Sequence, residues 1–169
     1  MSINKMKGFL LIGAFTLISS APSLAQTYNN AIGVRMGGTS GFTFKHFYAG
    51  QMAMEGQIGF FGNGASVTGL LMGHGNAFST PGLRYYAGGG AHLAFYNGRT
   101  YSAWRGRDIQ YYDSDAIAVG VNGILGLEYI LPDVPIGFSM DIKPFIEFGP
   151  GGHVGFSPDP SVGVKFIIR

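Results

Sequence analysis

The feature that most constrains this chain is an alternation of side-chain character with a period of two residues. In residues 136–148, one register is apolar and is interrupted only by Pro144, whereas the other register holds Asp141, Lys143 and Glu147. Successive side chains of a β-strand point to opposite faces, so every charge of this segment falls on one face. The alternation therefore predicts a β-strand with one apolar face and one charged face.

Similar segments recur along the chain, separated by clusters of Gly, Pro, Asn and Asp, and nothing after Ala25 has helical periodicity. The eight predicted strands are 30–36, 42–47, 51–60, 65–74, 82–96, 115–131, 136–148 and 157–168. The connections at 48–50 and 131–135 are short, whereas those at 97–114 and 149–156 are longer. An even number of strands joined by alternating short turns and longer loops is typical of bacterial outer-membrane barrels.

The mixed register carries about one charge per strand among small residues. Its charges are Arg35, Lys45, Arg84, Lys143 and Lys165 with Glu55, Glu128, Asp141 and Glu147. The interior of an eight-stranded barrel is just wide enough to be filled by side chains. Buried charges are tolerated only when they are paired and hydrogen-bonded, and this near-balance of signs allows it. We therefore expect an ion-pair network inside the barrel rather than a conducting path.

Two architectures share this alternation. A lipocalin-like soluble barrel has its apolar face inside, whereas a membrane barrel turns that face toward lipid. Only 12% of the residues are charged, against about 25% in a typical soluble domain, and 29 are glycine. The polar register is too sparsely charged for a soluble surface. The composition therefore favours an all-β, eight-stranded antiparallel up-and-down transmembrane β-barrel over residues 26–169.

Residues 1–25 resemble a secretory signal peptide. Lys5 and Lys7 precede a short apolar run from Gly8 to Ile18, and small residues end at Ala25. The run is shorter than the roughly 20 residues of a membrane-spanning helix. Without the two lysines, the 11 Lys and Arg become nine, equal to the nine Asp and Glu. No basic patch is left to support nucleic-acid binding.

The chain ends in two segments with a recognisable pattern. Residues 126–144 read GLEYILPDVPIGFSMDIKP, and residues 161–168 read SVGVKFII. The first resembles the penultimate hairpin, and the second the terminal-strand signal read by the barrel-assembly machinery, of small Gram-negative outer-membrane β-barrel proteins of the OmpX/OmpA-like, "outer membrane protein beta-barrel domain" type. Arg169 departs from the commonest signal, which ends on an aromatic residue. The resemblance implies an outer-membrane location, with membrane lipid and lipopolysaccharide as surroundings, but little about activity.

Catalytic and metal-binding chemistry have weak support in the sequence. The chain has no cysteine, and His46, His74, His92 and His153 lack metal-ligand spacing within any element. We interpret these histidines as hydrogen-bonded groups of the lumen or the membrane interface. No cofactor is expected.

A lipid A-modifying enzyme would need a histidine near a serine and an acidic residue. His74 and Ser79 lie on a predicted periplasmic turn, and His153 lies with Ser157 and Asp159 near the opposite rim. Neither set matches a known motif. We therefore predict that the protein is not an enzyme, and we keep lipid modification as the second alternative function.

The loop between the fifth and sixth strands is the best candidate contact surface. Its candidate contact residues are Arg99, Trp104, Arg105, Arg107, Tyr111 and Tyr112. Arginine and aromatic side chains are enriched in interfaces, and arginine suits the phosphates of lipopolysaccharide. A solvated loop with an aromatic girdle at its base explains the composition equally well. We expect a structural or surface-interaction protein, with a narrow porin or carrier as the first alternative, and the external partner stays open.

Overall fold

The computed structural model describes residues 28–62, 64–78, 80–97, 101–102, 109–110, 115–152 and 154–168. The predicted signal peptide lies outside these residues. Within the described ranges, no helix is long and apolar enough to cross a bilayer.

The described chain is built almost entirely of β-strands. The strands are β1 (Asn30–Gly37), β2 (Ser40–Ala49), β3 (Met52–Phe61), β4 (Gly64–Asn76), β5 (Leu83–Tyr96), β6 (Tyr101–Ser102), β7 (Ile109–Gln110), β8 (Ala116–Ile130), β9 (Ile136–Ile142), β10 (Phe145–Phe148), β11 (Val154–Ser157) and β12 (Pro160–Ile168). A 3₁₀ turn covers Pro150–Gly152. Strands β6 and β7 form a separate two-stranded hairpin.

The other ten strands form one closed antiparallel sheet. Strands β9 and β10 both pair with β8 and together make the seventh barrel strand, and β11 and β12 make the eighth. The last strand returns to the first, and the pairs run from Asn30 with Ile168 to Gly37 with Ser161. The predicted eight-stranded antiparallel barrel is confirmed. We call the end of the barrel that contains the pair Asn30 with Ile168 and the connections 77–82 and 131–135 the "turn end". The opposite "loop end" contains the connections 62–63 and 149–153.

The seventh and eighth strands are interrupted where the sequence predicted continuity. Pro144 has no N–H group, and pairing in the seventh strand stops between β9 and β10. The neighbouring strands accommodate the break, since the Gly123 N–H donates to the Pro144 carbonyl at 2.8 Å and the Lys143 N–H donates to the Asp159 carbonyl at 3.2 Å. Asp159 has a positive φ of 36°, which few non-glycine residues adopt. The predicted loop 149–156 is also shorter, because pairing resumes at Val154.

The two registers of the strands face opposite sides of the wall. Large apolar side chains on the outer face are exposed in every barrel strand, among them Ile32, Phe44, Ile58, Leu71, Leu93, Val121, Phe138 and Val164. Every Asp, Glu, Lys and Arg within the described strands lies on the inner face and is nearly inaccessible to solvent. The lipocalin-like arrangement, with apolar side chains inside, is therefore wrong for this chain.

Side chains fill the interior. An apolar cluster of Leu70, Met72, Tyr86 and Ile124 lies midway along the lumen. A second cluster closes the turn end and consists of Tyr28, Ala31, Phe47, Ala53, Ile130 and Ile167. Gly90 lets β4 and β5 approach closely, because a Cβ atom there would meet the carbonyl oxygen of Gly69. The lumen thus contains two apolar clusters of its own side chains.

Candidate functional site in the barrel lumen

The first group of lumen charges joins two lysines and two glutamates from four strands. Lys45 Nζ lies 3.1 Å from Glu128 Oε1 and 3.5 Å from Glu55 Oε2. Lys165 Nζ lies 2.9 Å from Glu55 Oε2 and 3.7 Å from Glu128 Oε1. Each carboxylate therefore contacts both ammonium groups, and the Tyr28 hydroxyl also donates to Glu128 Oε2 at 2.9 Å. Strands β2, β3, β8 and β12 meet through these contacts.

The second group is centred on the Arg35 guanidinium. Its Nη2 lies 2.9 Å from Asp141 Oδ1, and its Nη1 lies 2.9 Å from Asp159 Oδ2. Its Nε donates to Ser161 Oγ at 3.0 Å, so all three guanidinium nitrogens are engaged. Lys143 Nζ adds a second cation 3.3 Å from Asp159 Oδ2. The planar fork of arginine suits such contacts to two carboxylates.

Two side chains link these groups into one network. The Gln57 carbonyl oxygen accepts from Lys143 Nζ at 3.0 Å, and its amide nitrogen donates to Glu55 Oε1 at 2.9 Å. The Tyr86 hydroxyl donates to Asp141 Oδ2 at 2.8 Å, while Lys45 Nζ lies 4.7 Å from the centre of its ring. Connected buried networks of this kind hold their members in one arrangement.

A third group lies toward the loop end. His92 Nε2 lies 2.9 Å from Glu147 Oε2, and His92 Nδ1 lies 2.7 Å from Asn122 Oδ1. The Tyr96 hydroxyl donates to Glu147 Oε1 at 2.7 Å. Both ring nitrogens of His92 therefore face side-chain oxygens, from Asn122 on β8 and Glu147 on β10. These are amide and carboxylate oxygens and not the hydroxyl of a serine nucleophile.

The structure brings seven of the nine predicted network residues into ion pairs, and the eighth, Glu147, contacts the His92 ring. Asp141 pairs with Arg35. Lys143 contacts Asp159 and Gln57. The ninth residue, Arg84, forms no ion pair within the described part of the chain.

Sequence reasoning missed Asp159 as a member of the network. It shares the odd-numbered inward register of Ser161 and Lys165, which is the signal that could have found it. Its Oδ1 accepts from the Thr39 N–H at 2.8 Å while Oδ2 binds Arg35, so it fixes the β1–β2 connection.

Asp159 also completes the charge balance of the lumen. The buried cations are Arg35, Lys45, Arg84, Lys143 and Lys165, and the carboxylates are Glu55, Glu128, Asp141, Glu147 and Asp159. Five of each sign replace the five and four counted from the sequence. Equal totals make full pairing possible, but they do not give every charge a partner.

The three described histidines, His46, His74 and His92, lie on barrel strands. His46 is on the outer face, with Nδ1 2.8 Å from Asn30 Oδ1, and His92 is in the lumen. His74 is also in the lumen on β4, so its placement on a turn is wrong. The described residues contain no group of three side chains suited to a metal ion. Of the enzyme candidates, Ser79 and His153 lie outside the described residues.

The candidate contact residues of the loop 97–114 lie outside the described residues. They are Arg99, Trp104, Arg105, Arg107, Tyr111 and Tyr112. Only the backbone pairing of β6 with β7 is described in this loop, with Tyr101 opposite Gln110.

Comparison with known proteins adds no family to this picture. No protein-family model matches the chain, and no curated protein is significantly similar to it in sequence.

Proposed function

We propose that this chain is an integral outer-membrane β-barrel protein of a Gram-negative bacterium with a structural or surface-interaction role. The supporting observation is the division between the two faces of its wall. Apolar side chains are exposed on the outer face of all eight barrel strands, whereas the charges of those strands are buried inside. In water such an outer surface would be an aggregation liability, but in a bilayer it is the expected lipid-facing band.

The assembly route and surroundings belong to the same proposal. The chain belongs with the OmpX/OmpA-like barrels, on the strength of its final hairpin and terminal strand. It is exported with residues 1–25 as its signal peptide and inserted by the barrel-assembly machinery. Membrane lipid contacts its outer face, and lipopolysaccharide and an external partner contact the loop 97–114.

Fractionation and gel migration test the membrane location. Folded outer-membrane barrels commonly resist SDS until boiled, so an unboiled sample of the purified protein should migrate differently from a boiled one. The protein should also be recovered with the outer membrane. Identical migration together with recovery in the soluble periplasmic fraction would overturn the proposal.

The lumen is closed in this proposal rather than conducting. Lys45 and Glu128 are almost completely buried, and Tyr86, Leu70 and Met72 fill the space beside them. An eight-stranded wall leaves little room beyond its own side chains. Planar-bilayer recordings of the purified protein should therefore show no discrete openings. Regular single-channel steps would favour the narrow porin or carrier instead.

We also assign no catalytic role to the barrel. In the described chain, the ring nitrogens of His92 face Glu147 and Asn122, and Nε2 of His74 faces Lys45. Among the described residues, no serine or threonine hydroxyl forms a hydrogen bond with either ring. Lipid A mass spectra from cells with and without the protein should be identical, and a mass change that depends on the protein would establish a lipid-modifying enzyme.

A further inference from the structure

Arg84 is a buried cation that forms no ion pair with any carboxylate of the described residues. It lies opposite Glu128 in the β5–β8 pairing, yet the oxygens of Glu128 contact Tyr28 and Lys45. The guanidinium carbon of Arg84 lies instead 5.3 Å from the centre of the Phe47 ring. Arg84 is only 4% exposed, and its buried Nη1 has no hydrogen-bond partner within the described chain.

His74 supplies a second buried donor beside the same ring. Its Nε2 lies 3.1 Å from Lys45 Nζ, and an ammonium group can only donate. Nε2 must therefore accept, which places the proton of the neutral imidazole on Nδ1. Nδ1 is buried and has no partner among the described residues. The His74 ring lies 4.7 Å from that of Phe47, measured between ring centres.

The pairing of β4 with β5 places the two donors near each other. His74 is opposite Tyr86, and Arg84 is opposite Asn76, so His74 and Arg84 are diagonal neighbours. Both lie on the inner face, where diagonal residues are about 7–8 Å apart and within reach of long side chains. Phe47 contacts both and forms an apolar wall beside them.

The turn end of the lumen also has an excess of positive charge, which a bound anion would neutralise. This end of the network contains the cations Lys45, Lys165 and Arg84 and the carboxylates Glu55 and Glu128. Three positive charges thus stand against two negative ones. A buried N–H group without a partner costs free energy, and an unpaired buried charge costs more.

We infer that Arg84 and His74 bind a small oxyanion of the carboxylate or phosphate type at the turn end of the lumen. The anion accepts from Nη1 of Arg84 and Nδ1 of His74, and it neutralises the excess positive charge. Arginine presents parallel donors that match such oxygens, which favours an oxyanion over a spherical halide. The low exposure of Arg84 limits the ligand to a small one. The inference depends on the barrel fold and not on the proposed location.

Thermal unfolding of the purified full barrel, folded in a maltoside detergent, tests this site. Acetate and inorganic phosphate are titrated separately into a chloride buffer at constant ionic strength. The unfolding midpoint of the wild type should rise with either anion, because a ligand that binds only the folded state stabilises it. A response to only one anion identifies the chemical class of the ligand. No response to either would show that water solvates Arg84, and it would overturn the inference.

The variants localise the effect. Arg84→Met should raise the half-saturating anion concentration by at least about tenfold, and Arg84→Lys should raise it by less. Lys143→Met removes a lumen cation outside the site and should keep the response of the wild type. Without added anion, Arg84→Met should fold at least as stably as the wild type, since no ion-pair partner is left behind. A midpoint shift that survives Arg84→Met, or a failure of this variant to fold, would contradict the site.

The tautomer of His74 provides a measurement that needs no variant. Nitrogen-15 spectra of the folded protein labelled at histidine should show the proton of the His74 ring on Nδ1, and this signal should shift on addition of the effective anion. A proton on Nε2 would remove the second donor and refute the proposed binding geometry.

Discussion

Ile142 and Lys143 are neighbours in the chain but lie in opposite environments. Ile142 is 43% exposed on the outer wall, whereas Lys143 is 2% exposed and contacts Gln57 and Asp159 inside. The same contrast holds around the barrel, where charges are buried and large apolar side chains are exposed. The apolar face of the wall is thus on the outside and the charged face on the inside, which is the reverse of the usual arrangement in a soluble protein. Each face should respond differently to the same kind of substitution.

The largest effect is expected on the inner wall, at Lys45. Lys45→Met leaves Glu55 and Glu128 with Lys165 as their shared cation, and breaking a buried pair in this way costs about 3–5 kcal/mol. Urea unfolding of the barrel in lipid vesicles measures the loss. The double variant Lys45→Met with Glu128→Gln removes both charges and should recover part of it. A single variant as stable as the wild type would argue that these ion pairs do not hold the barrel together.

A smaller loss of stability is expected on the outer wall, where a charge is introduced rather than removed. Leu71 is exposed at the middle of β4, and Leu71→Arg would place a charge on the apolar outer face, which contacts lipid in the proposed membrane location. An arginine at the bilayer midplane of a barrel costs about 2–4 kcal/mol. Leu71→Met keeps the surface apolar and serves as the control in the same vesicles. Equal stability of the two variants would indicate that this face does not meet lipid.

The smallest difference is expected between the two neighbours themselves. Lys143→Met should destabilise the barrel by about 1–3 kcal/mol, because Gln57 loses its donor while Arg35 still neutralises Asp159. Ile142→Val removes one exposed methyl group and should change stability by less than about 0.5 kcal/mol. Both values come from the same unfolding assay, and matching stabilities would contradict the assignment of the two faces.

Much of the wall could be predicted from local patterns. The alternation located all eight barrel strands to within a few residues, and it assigned Asp141, Lys143 and Glu147 to one face. It could not foresee that pairing stops at Pro144, although the missing N–H group of proline is the cause. Asp159 was considered only as part of a possible catalytic set, and its inward register becomes visible only when counted back from Ser161.

The partners inside the lumen could not be predicted in the same way. Arg84 was expected to pair with a carboxylate, and its cross-strand neighbour Glu128 is within the same register, yet the guanidinium lies against Phe47. The oxygens of Glu128 accept instead from Tyr28 and Lys45. No pattern along one strand reveals which donors meet a given carboxylate across the lumen.

The sequence by itself determined the strand count, the two faces of the wall and the approximate balance of charge, because side-chain alternation is a property of neighbouring residues. Only the tertiary structure decided which charges meet across the lumen and which donors are left without partners. Those distances depend on the stagger and tilt of all eight strands at once, including the closing pairs of β1 with β12.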